Sequence, residues 1–309
     1  MKGIGPDFVN AMINGDGVLS SILERVKQDH TLMLAIREGY INIYYRGGNL
    51  LKITERGSGS FSTFFDDEYC KQGHKPSEGL PLQIASHSDA VAWVRAVPLL
   101  KEVMDRFLVS KNKPEREFQQ LVARENNFSS ISNESEYFVS DIEFADSELG
   151  ARFDMLAIRW LASQRQNGSN CRPAFIEMKY GDNALKGDSG LVGHLKDFHE
   201  FITSDRYKVL VTAMEAKFNQ LDQLGLMSFN RSSKFKKISI DRDAKPEVVF
   251  LLANHNPRST VLKSILEQEE FMELANSDAF DLRFHVASFS GYAFHESCMK
   301  SLKDFKKLL

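Results

Sequence analysis

The sequence predicts a mixed α/β (α+β) fold in two parts, and three observations support this class. The chain has 309 residues, which is long enough to bury about three quarters of its extended surface around a large core. Its composition, 42% hydrophobic and 26% charged, is that of a globular protein. From residue 114 onward the hydrophobic patterns follow the order α-β-β-β-α-α-β-α-β-α, which is typical of a central mixed sheet flanked by helices.

Residues 1–110 are predicted to form an N-terminal accessory domain of helices and a small β-meander. Apolar residues at helical spacing predict one or two helices over 18–38. Three short segments rich in β-forming residues are separated by glycine-containing turns, which indicates antiparallel strands. These predicted strands are 40–45, 50–55 and 61–65. A further helix is predicted over 88–109, with Ser88 and Asp89 at its cap.

Residues 111–309 form the second predicted domain, and the polar stretch 110–114 marks the boundary. Pro114 suits the first turn of a helix, where Glu115 and Glu117 lie near the positive end of the helix dipole. The other elements follow from the same periodicities. The predicted helices are 114–124, 190–202, 207–224, 260–273 and 297–309, and the predicted strands are 138–144, 152–161, 174–180, 248–253 and 282–288.

Charge and cysteine content exclude several classes of protein. The net charge of −3 argues against a uniformly basic nucleic-acid binder but permits a local basic groove. The three cysteines form no CxxC pair, which argues against a zinc finger and a disulfide framework. No signal peptide or membrane-length apolar run is evident, so we expect a cytoplasmic protein without a membrane partner. Phosphate-loop, dinucleotide, nucleophile-elbow and HExxH motifs are lacking.

Charged residues interrupt two of the predicted apolar strands. Alternation along the second strand puts Phe175, Glu177 and Lys179 on one face. Burying such charges costs free energy unless they are paired or bind a ligand. The polar turn at 164–172 folds the two strands into a hairpin, which allows Asp154 to lie beside Glu177.

Two adjacent carboxylates repel each other unless a cation lies between them. A hard divalent ion, Mg²⁺ or Mn²⁺, meets that need because it prefers oxygen ligands and keeps several waters. Lys179 could orient or help deprotonate a water, or stabilise charge on a phosphate. The alternative is an edge-strand ion pair of Glu177 with Lys179 or Arg152 on a solvated face.

The pattern D-(x22)-E-x-K, formed by Asp154, Glu177 and Lys179, resembles that of the PD-(D/E)XK nuclease superfamily, which includes restriction endonucleases and archaeal Holliday junction resolvases. The resemblance covers about residues 113–255, and the order of helices and strands is similar. Phe153 stands where many members have proline.

The resemblance implies a restriction endonuclease-like core and a set of site residues. Asp154 and Glu177 would bind the metal together with the backbone carbonyl of Met178, and Lys179 would be the catalytic lysine. In the resolvases the first helix opens with Glu-Arg-Glu and an apolar residue, as the segment 115–118 does here. Glu115 would then be the helix carboxylate near the metal, with Glu117 as the alternative.

The implied activity is metal-dependent hydrolysis of phosphodiester bonds, by a DNA endonuclease in restriction, phage defence or repair. A non-catalytic nucleic-acid-binding or regulatory module on the same fold is the alternative. The N-terminal domain would then select the substrate, bind a protein partner or form a homodimer.

Several basic residues are candidates for contact with the nucleic-acid backbone. They are Lys186, Arg231, Lys234, Lys236 and Lys237. A solvated loop is the alternative for each. The lysines at 300, 303, 306 and 307 would form one face of a C-terminal helix. His194 lies at helical spacing from Leu191 and Phe198, and we expect it to pack against its neighbours.

Overall fold

In a computed structural model, the chain folds into two compact units. The structure describes residues 3–57, 59–70, 75–111, 113–147, 151–256, 259–287, 294 and 296–309. The first unit comprises Met1–Arg124 and Gln220–Met227, and the second comprises Glu125–Asn219 and Ser228–Leu309. This division differs from the predicted boundary between residues 110 and 111, because most of the helix that begins at Pro114 belongs to the first unit.

The first unit combines helices with an antiparallel sheet. Its helices are α1 (Pro6–Ile13), α2 (Ser20–Gln28), α3 (His87–Ser110) and the greater part of α4 (Pro114–Asn127). Its strands are β1 (Leu32–Ile36), β2 (Tyr40–Tyr45), β3 (Gly48–Gly57), β4 (Ser60–Phe64) and β5 (Gln83–Ile84). They are hydrogen-bonded in the order β1-β2-β3-β4-β5, and the predicted meander is therefore confirmed.

The prediction of helix throughout 18–38 is wrong for its second half. Helix α2 ends at Gln28, and the carboxylate of Asp29 accepts hydrogen bonds from the backbone and hydroxyl of Thr31. The chain then enters β1, whose five residues are all buried and pair with β2. The apolar segment 32–36 is compatible with both the helical and the strand repeat of apolar residues. Its pairing with β2 makes it a strand.

The cap of α3 also differs from the prediction. Ser86, rather than Ser88, is the N-cap, and its hydroxyl accepts a hydrogen bond from the backbone of Asp89. The Asp89 carboxylate in turn accepts the backbone N–H of Ser86, at 2.9 Å. This reciprocal capping box satisfies two of the free donors at the start of the helix. Helix α1 was not predicted.

The second unit is built on a mixed sheet. Its strands are β6 (Tyr137–Ala145), β7 (Arg152–Arg159), β8 (Arg172–Tyr180), β9 (Glu247–Ala253) and β10 (Asp281–Ala287). The order is β10-β9-β8-β7-β6. Strands β6, β7 and β8 pair in antiparallel fashion, whereas β8, β9 and β10 pair in parallel. The mixed sheet expected from the pattern is thus confirmed.

The helices of the second unit come after β8, β9 and β10 along the chain. They are α5 (Leu191–Ile202), α6 (Arg206–Gln223), α7 (Val261–Leu266), α8 (Glu269–Ala275) and α9 (Leu302–Lys306). The last residues of α6 belong to the first unit. Helices α5 and α6 form the crossover between the parallel strands β8 and β9, as a parallel pairing requires.

Two predicted helices of this unit are shorter than expected. The predicted helix 260–273 is divided into α7 and α8, because Gln268 has an extended backbone and cannot continue a helix. The predicted basic helix 297–309 is reduced to α9. Lys300 instead pairs its backbone with Phe284 of β10, so it does not share a helical face with Lys303 and Lys306.

Aromatic side chains pack α5 onto the sheet. The ring of Phe153 stacks on Phe198 with centroids 4.8 Å apart and meets the edge of Phe175 at 5.5 Å. All three rings are fully or nearly fully buried. This packing holds the face of α5 that carries His194 against β8. Across the described ranges, no helix is both long and apolar enough to cross a membrane.

Candidate functional site

A buried carboxylate with two basic partners lies near the end of β8. The Nζ atom of Lys179 donates to Oε1 of Glu177 at 2.8 Å, and Nε2 of His194 lies 3.0 Å from the same oxygen. The side chains of Glu177 and Lys179 are 3% and 5% exposed, and that of His194 is 16% exposed. Contact with α5 therefore joins the charged strand to the helix that follows it.

Asp154 lies beside this cluster on the neighbouring strand. Its Oδ2 atom accepts the backbone N–H of Met178 at 2.8 Å. The last regular pair between β7 and β8 is Met155 with Ile176. Beyond that pair the side chain of Asp154, rather than its backbone, binds the adjacent strand, and its carboxylate lies next to the residue that follows Glu177.

The Met178 carbonyl is in a position to join the two carboxylates. In an extended strand the N–H and C=O groups of one residue point to the same neighbouring strand. Because the N–H of Met178 points to Asp154, its carbonyl faces the same side of β8. Two carboxylates and one carbonyl therefore belong to adjacent positions of the hairpin.

Glu177 retains one oxygen available for a ligand. Its Oε2 atom is buried, and within the described part of the chain it has no hydrogen-bond partner. An unsatisfied carboxylate oxygen in such a place costs free energy, which a cation would recover. No group of three or more Asp, Glu, His or Cys side chains converges on a metal position within the described ranges. The unpartnered oxygen of Glu177 and the nearby Asp154 would suit Mg²⁺ or Mn²⁺, which proteins often bind through one or two carboxylates and several waters.

The two helix carboxylates belong to the first unit, whereas Asp154 and Glu177 belong to the second. Glu115 is half-buried on α4. Glu117 receives two hydrogen bonds from the guanidinium group of Arg46, at 2.9 and 3.1 Å. That pairing engages Glu117 within the first unit, whereas the assignment of Glu115 as the helix carboxylate stays a prediction.

The predicted backbone-contacting residues lie in two places. Lys186 is exposed after the short 3-10 turn Asp182–Leu185, and it lines a cleft of about 580 Å³ together with Ser264 and Gln268. The others lie in the loop before β9, at the opposite end of the β7–β8 hairpin from Glu177. These residues are Arg231, Lys234, Lys236 and Lys237, and all four are exposed. The structure thus does not bring them to the carboxylates.

Several site residues were missed by the sequence analysis. His194 was expected to pack against apolar neighbours, but its Nε2 atom faces Glu177. Partial burial raises the pKa of Asp197 on the same helix; His194 opposes this rise, and the charges of Glu200 and Glu177 add to it. Helical spacing showed which residues neighbour His194 along α5, but gave no indication of which strand this face would meet.

Glu143 is the second missed residue. The pairs Ile142 with Met155 and Phe144 with Phe153 bracket it, so it is the cross-strand neighbour of Asp154. Its φ angle of 51° lies in the left-handed region, which is uncommon for residues other than glycine. Such strained positions are often found at functional sites. In the sequence, the only feature that could have drawn attention to Glu143 was the presence of an acidic residue within the predicted strand 138–144.

A histidine–carboxylate pair lies at the carboxyl ends of the parallel strands β8 and β9. The Nδ1 atom of His255 is 3.0 Å from Oδ1 of Asp182. Burial would raise the pKa of Asp182, but hydrogen bonds from Ser259 and His255 outweigh burial and lower it. The pair ties the loop after β8 to the loop after β9, next to the strand that carries Lys179.

Comparisons of the chain with protein-family models, curated proteins and solved structures find no match. Function is therefore inferred from the geometry of the site.

Proposed function

We propose that the chain is a metal-dependent nuclease that hydrolyses phosphodiester bonds, with DNA as the expected substrate. One observation carries the proposal. Glu177 is 3% exposed, keeps one oxygen without a partner among the described residues, and lies beside Lys179 and Asp154. A charge cluster that serves only stability gains little from such burial, because the desolvation cost tends to exceed the Coulombic gain.

The order of elements supports the proposal. Helix α4 is followed by the antiparallel strands β6, β7 and β8, then by the crossover helices α5 and α6, and then by β9 parallel to β8. This is the order that the resemblance to the PD-(D/E)XK superfamily leads us to expect. Asp154 lies on the second strand of this series, and Glu177 and Lys179 lie on the third.

The residues have distinct parts in the proposed reaction. Asp154, Glu177 and the Met178 carbonyl would hold Mg²⁺, which supplies Lewis acidity at the phosphodiester and lowers the pKa of water. Lys179 provides a buried positive charge that stabilises the extra negative charge on the phosphate in the transition state. His194 orients the Glu177 carboxylate. In the overall reaction a water oxygen bonds to phosphorus, the bond to the leaving oxygen breaks, and that oxygen receives a proton.

Cleavage assays with the full chain test the proposal. Plasmid and linear duplex DNA are incubated with Mg²⁺ or Mn²⁺, and single-stranded DNA and RNA are tested beside them. We expect cleavage by the natural chain and a loss of about 100-fold or more in Lys179→Ala, since one stabilising charge typically contributes that much. Lys263→Ala, an exposed lysine on α7, is the matched control and should retain activity.

A binding measurement separates the nuclease from a non-catalytic module. Calorimetric titration with Mn²⁺ should show binding to the natural chain and at least about tenfold weaker binding to Glu177→Gln. Retained cleavage in Lys179→Ala would overturn the assignment of the site. Nucleic-acid binding without Mn²⁺ binding or cleavage would favour the regulatory module instead.

A further inference from the structure

The loop of residues 228–240, here called the basic loop, carries a concentrated positive charge in the second unit. It contains four basic residues and no acidic residue. The basic residues, Arg231, Lys234, Lys236 and Lys237, are all exposed. On a chain whose net charge is −3, such a segment creates a local positive field that attracts polyanions.

Hydrogen bonds hold the basic loop in place at both of its ends. The backbone N–H of Ser228 donates to the Asn127 carbonyl at 2.7 Å, and that of Ser239 donates to the Gly168 carbonyl at 2.7 Å. The backbone N–H of Ile240 donates to the Glu215 carboxylate at 2.8 Å. Because both ends of the loop are fixed, less conformational entropy is lost when its lysines bind a ligand than for an unanchored segment.

The aromatic rings of the basic loop are directed into the protein. The ring of Phe229 packs against Trp160 at 5.2 Å, and that of Phe235 packs against Trp160 at 5.6 Å. The guanidinium group of Arg231 lies 4.5 Å from the centre of the Phe229 ring. Binding of single strands depends on aromatic rings that stack on bases. The basic loop instead offers charges alone, which suits the phosphate backbone of a duplex.

The basic loop lies far from the candidate metal ligands. Ile240 forms a parallel bridge with Cys171, which precedes Glu177 by six residues along the chain. At about 3.3 Å per residue in a strand, this separation is about 20 Å. Since duplex DNA rises about 3.4 Å per base pair, a ligand that touches both places spans about six base pairs.

We propose that the basic loop is a second contact surface for duplex nucleic acid, and that it holds the phosphate backbone about six base pairs from the bond that is cleaved. The inference rests on the proposed nuclease function and adds a substrate class and a minimum length to it. The loop binds phosphates without reading bases, so its contribution is the same for any sequence.

The test uses the full chain and a charge-reversed variant, Lys234→Glu with Lys236→Glu and Lys237→Glu. Binding to a long duplex of about 20 base pairs is measured without divalent ions over a range of salt concentrations. Each lost phosphate contact lowers the slope of log K against log salt by about 0.9, so we expect a slope smaller by about 2.7. A control variant, Lys208→Glu with Lys263→Glu and Lys303→Glu, reverses three exposed lysines elsewhere in the second unit and should keep the slope.

Cleavage of duplexes of different length gives the second readout. With Mg²⁺ or Mn²⁺, the charge-reversed variant should lose cleavage of the long duplex and cleave a short stem-loop as the natural chain does. A matching Lys→Gln triple variant repeats the test should the charge-reversed chain fail to fold. An unchanged salt slope, or equal cleavage of long and short duplexes by the natural chain, would overturn this inference alone. Absence of cleavage by the natural chain on every substrate would overturn the proposed function itself.

Discussion

The charged residues at the end of β8 carry a structural cost that the proposed metal site would explain. The Glu177 side chain is buried, and Lys179 and His194 both contact one of its oxygens. The other oxygen has no hydrogen-bond partner among the described residues. On the adjacent strand β7, Asp154 binds the backbone of β8, and on the next strand, β6, Glu143 has a left-handed backbone. A buried oxygen without a partner and a left-handed backbone both cost stability, and the proposed metal site would give the two features one explanation.

Asp29, in the first unit, provides a residue-scale prediction for stability against pH. Burial would raise its pKa, but hydrogen bonds from Lys101 and Thr31 outweigh burial and lower the pKa to about 2. The folded state therefore binds the proton more weakly than the unfolded state, in which the carboxyl has its ordinary pKa of about 3.8. The ionised carboxylate stabilises the fold above about pH 4, and this contribution is lost as the pH falls toward 2.

Urea unfolding of the natural chain and of Asp29→Asn, at pH values between about 2.5 and 7, measures this contribution. We expect the variant to be less stable by about 1 kcal/mol near neutral pH and the difference to shrink in acid. Asp16→Asn, which changes an exposed aspartate of the same unit, is the control. A difference that does not depend on pH would show that Asp29 acts through packing instead of charge.

At the scale of elements, the strands were predicted well and the helices less so. Strands β7, β8 and β9 were predicted because each is a short apolar segment between polar turns. Their pairing in the sheet stabilises the strands that the local sequence already favours. Strand β1 was missed because the segment 32–36 is apolar throughout and has no period of its own. The partnership of His194 with Glu177 could not be predicted, because it depends on how α5 is placed against β8 by the packing of Phe153, Phe175 and Phe198.

A buried carboxylate joins all five strands of the mixed sheet at the end opposite the candidate site. The Glu247 side chain on β9 is fully buried. Its partners come from each of the other four strands, at distances between 2.6 and 3.6 Å. They are Tyr137 of β6, Arg159 of β7, Arg172 of β8 and Arg283 of β10.

Removal of this carboxylate should destabilise the whole sheet. Glu247→Ala removes a buried charge shared by three arginines, although Arg159 keeps Glu296 and Arg172 keeps Asp281 as partners, so we expect a loss of about 2 kcal/mol. Glu247→Gln retains the volume and should cost less. Denaturant unfolding measures both, with Glu273→Ala on the exposed side of α8 as control. Equal stabilities of Glu247→Ala and the natural chain would mean that the arginines find other partners.

At the scale of the molecule, the division into units decides where the chain can be cut. Helix α4 begins in the first unit, where the buried Gln120 makes three hydrogen bonds: its Nε2 donates to the carbonyls of Thr31 and Tyr44, and its Oε1 accepts the backbone N–H of Gly47. Arg46 also binds Glu117. A fragment that starts after the predicted boundary therefore carries all of α4 but lacks the first-unit partners of Gln120 and Glu117.

The fragment 113–309 should accordingly be less stable than the full chain, although it contains every proposed metal ligand. We expect a lower melting temperature and rapid proteolysis within 113–124, because buried polar groups of α4 lose their hydrogen bonds. Limited proteolysis with mass spectrometry locates the cut, and thermal unfolding gives the loss of stability. Gln120→Ala in the full chain isolates one part of this effect and should cost about 1–3 kcal/mol. A fragment that melts like the full chain and resists proteolysis would show that the second unit and α4 fold without the first unit, and would support the boundary between residues 110 and 111.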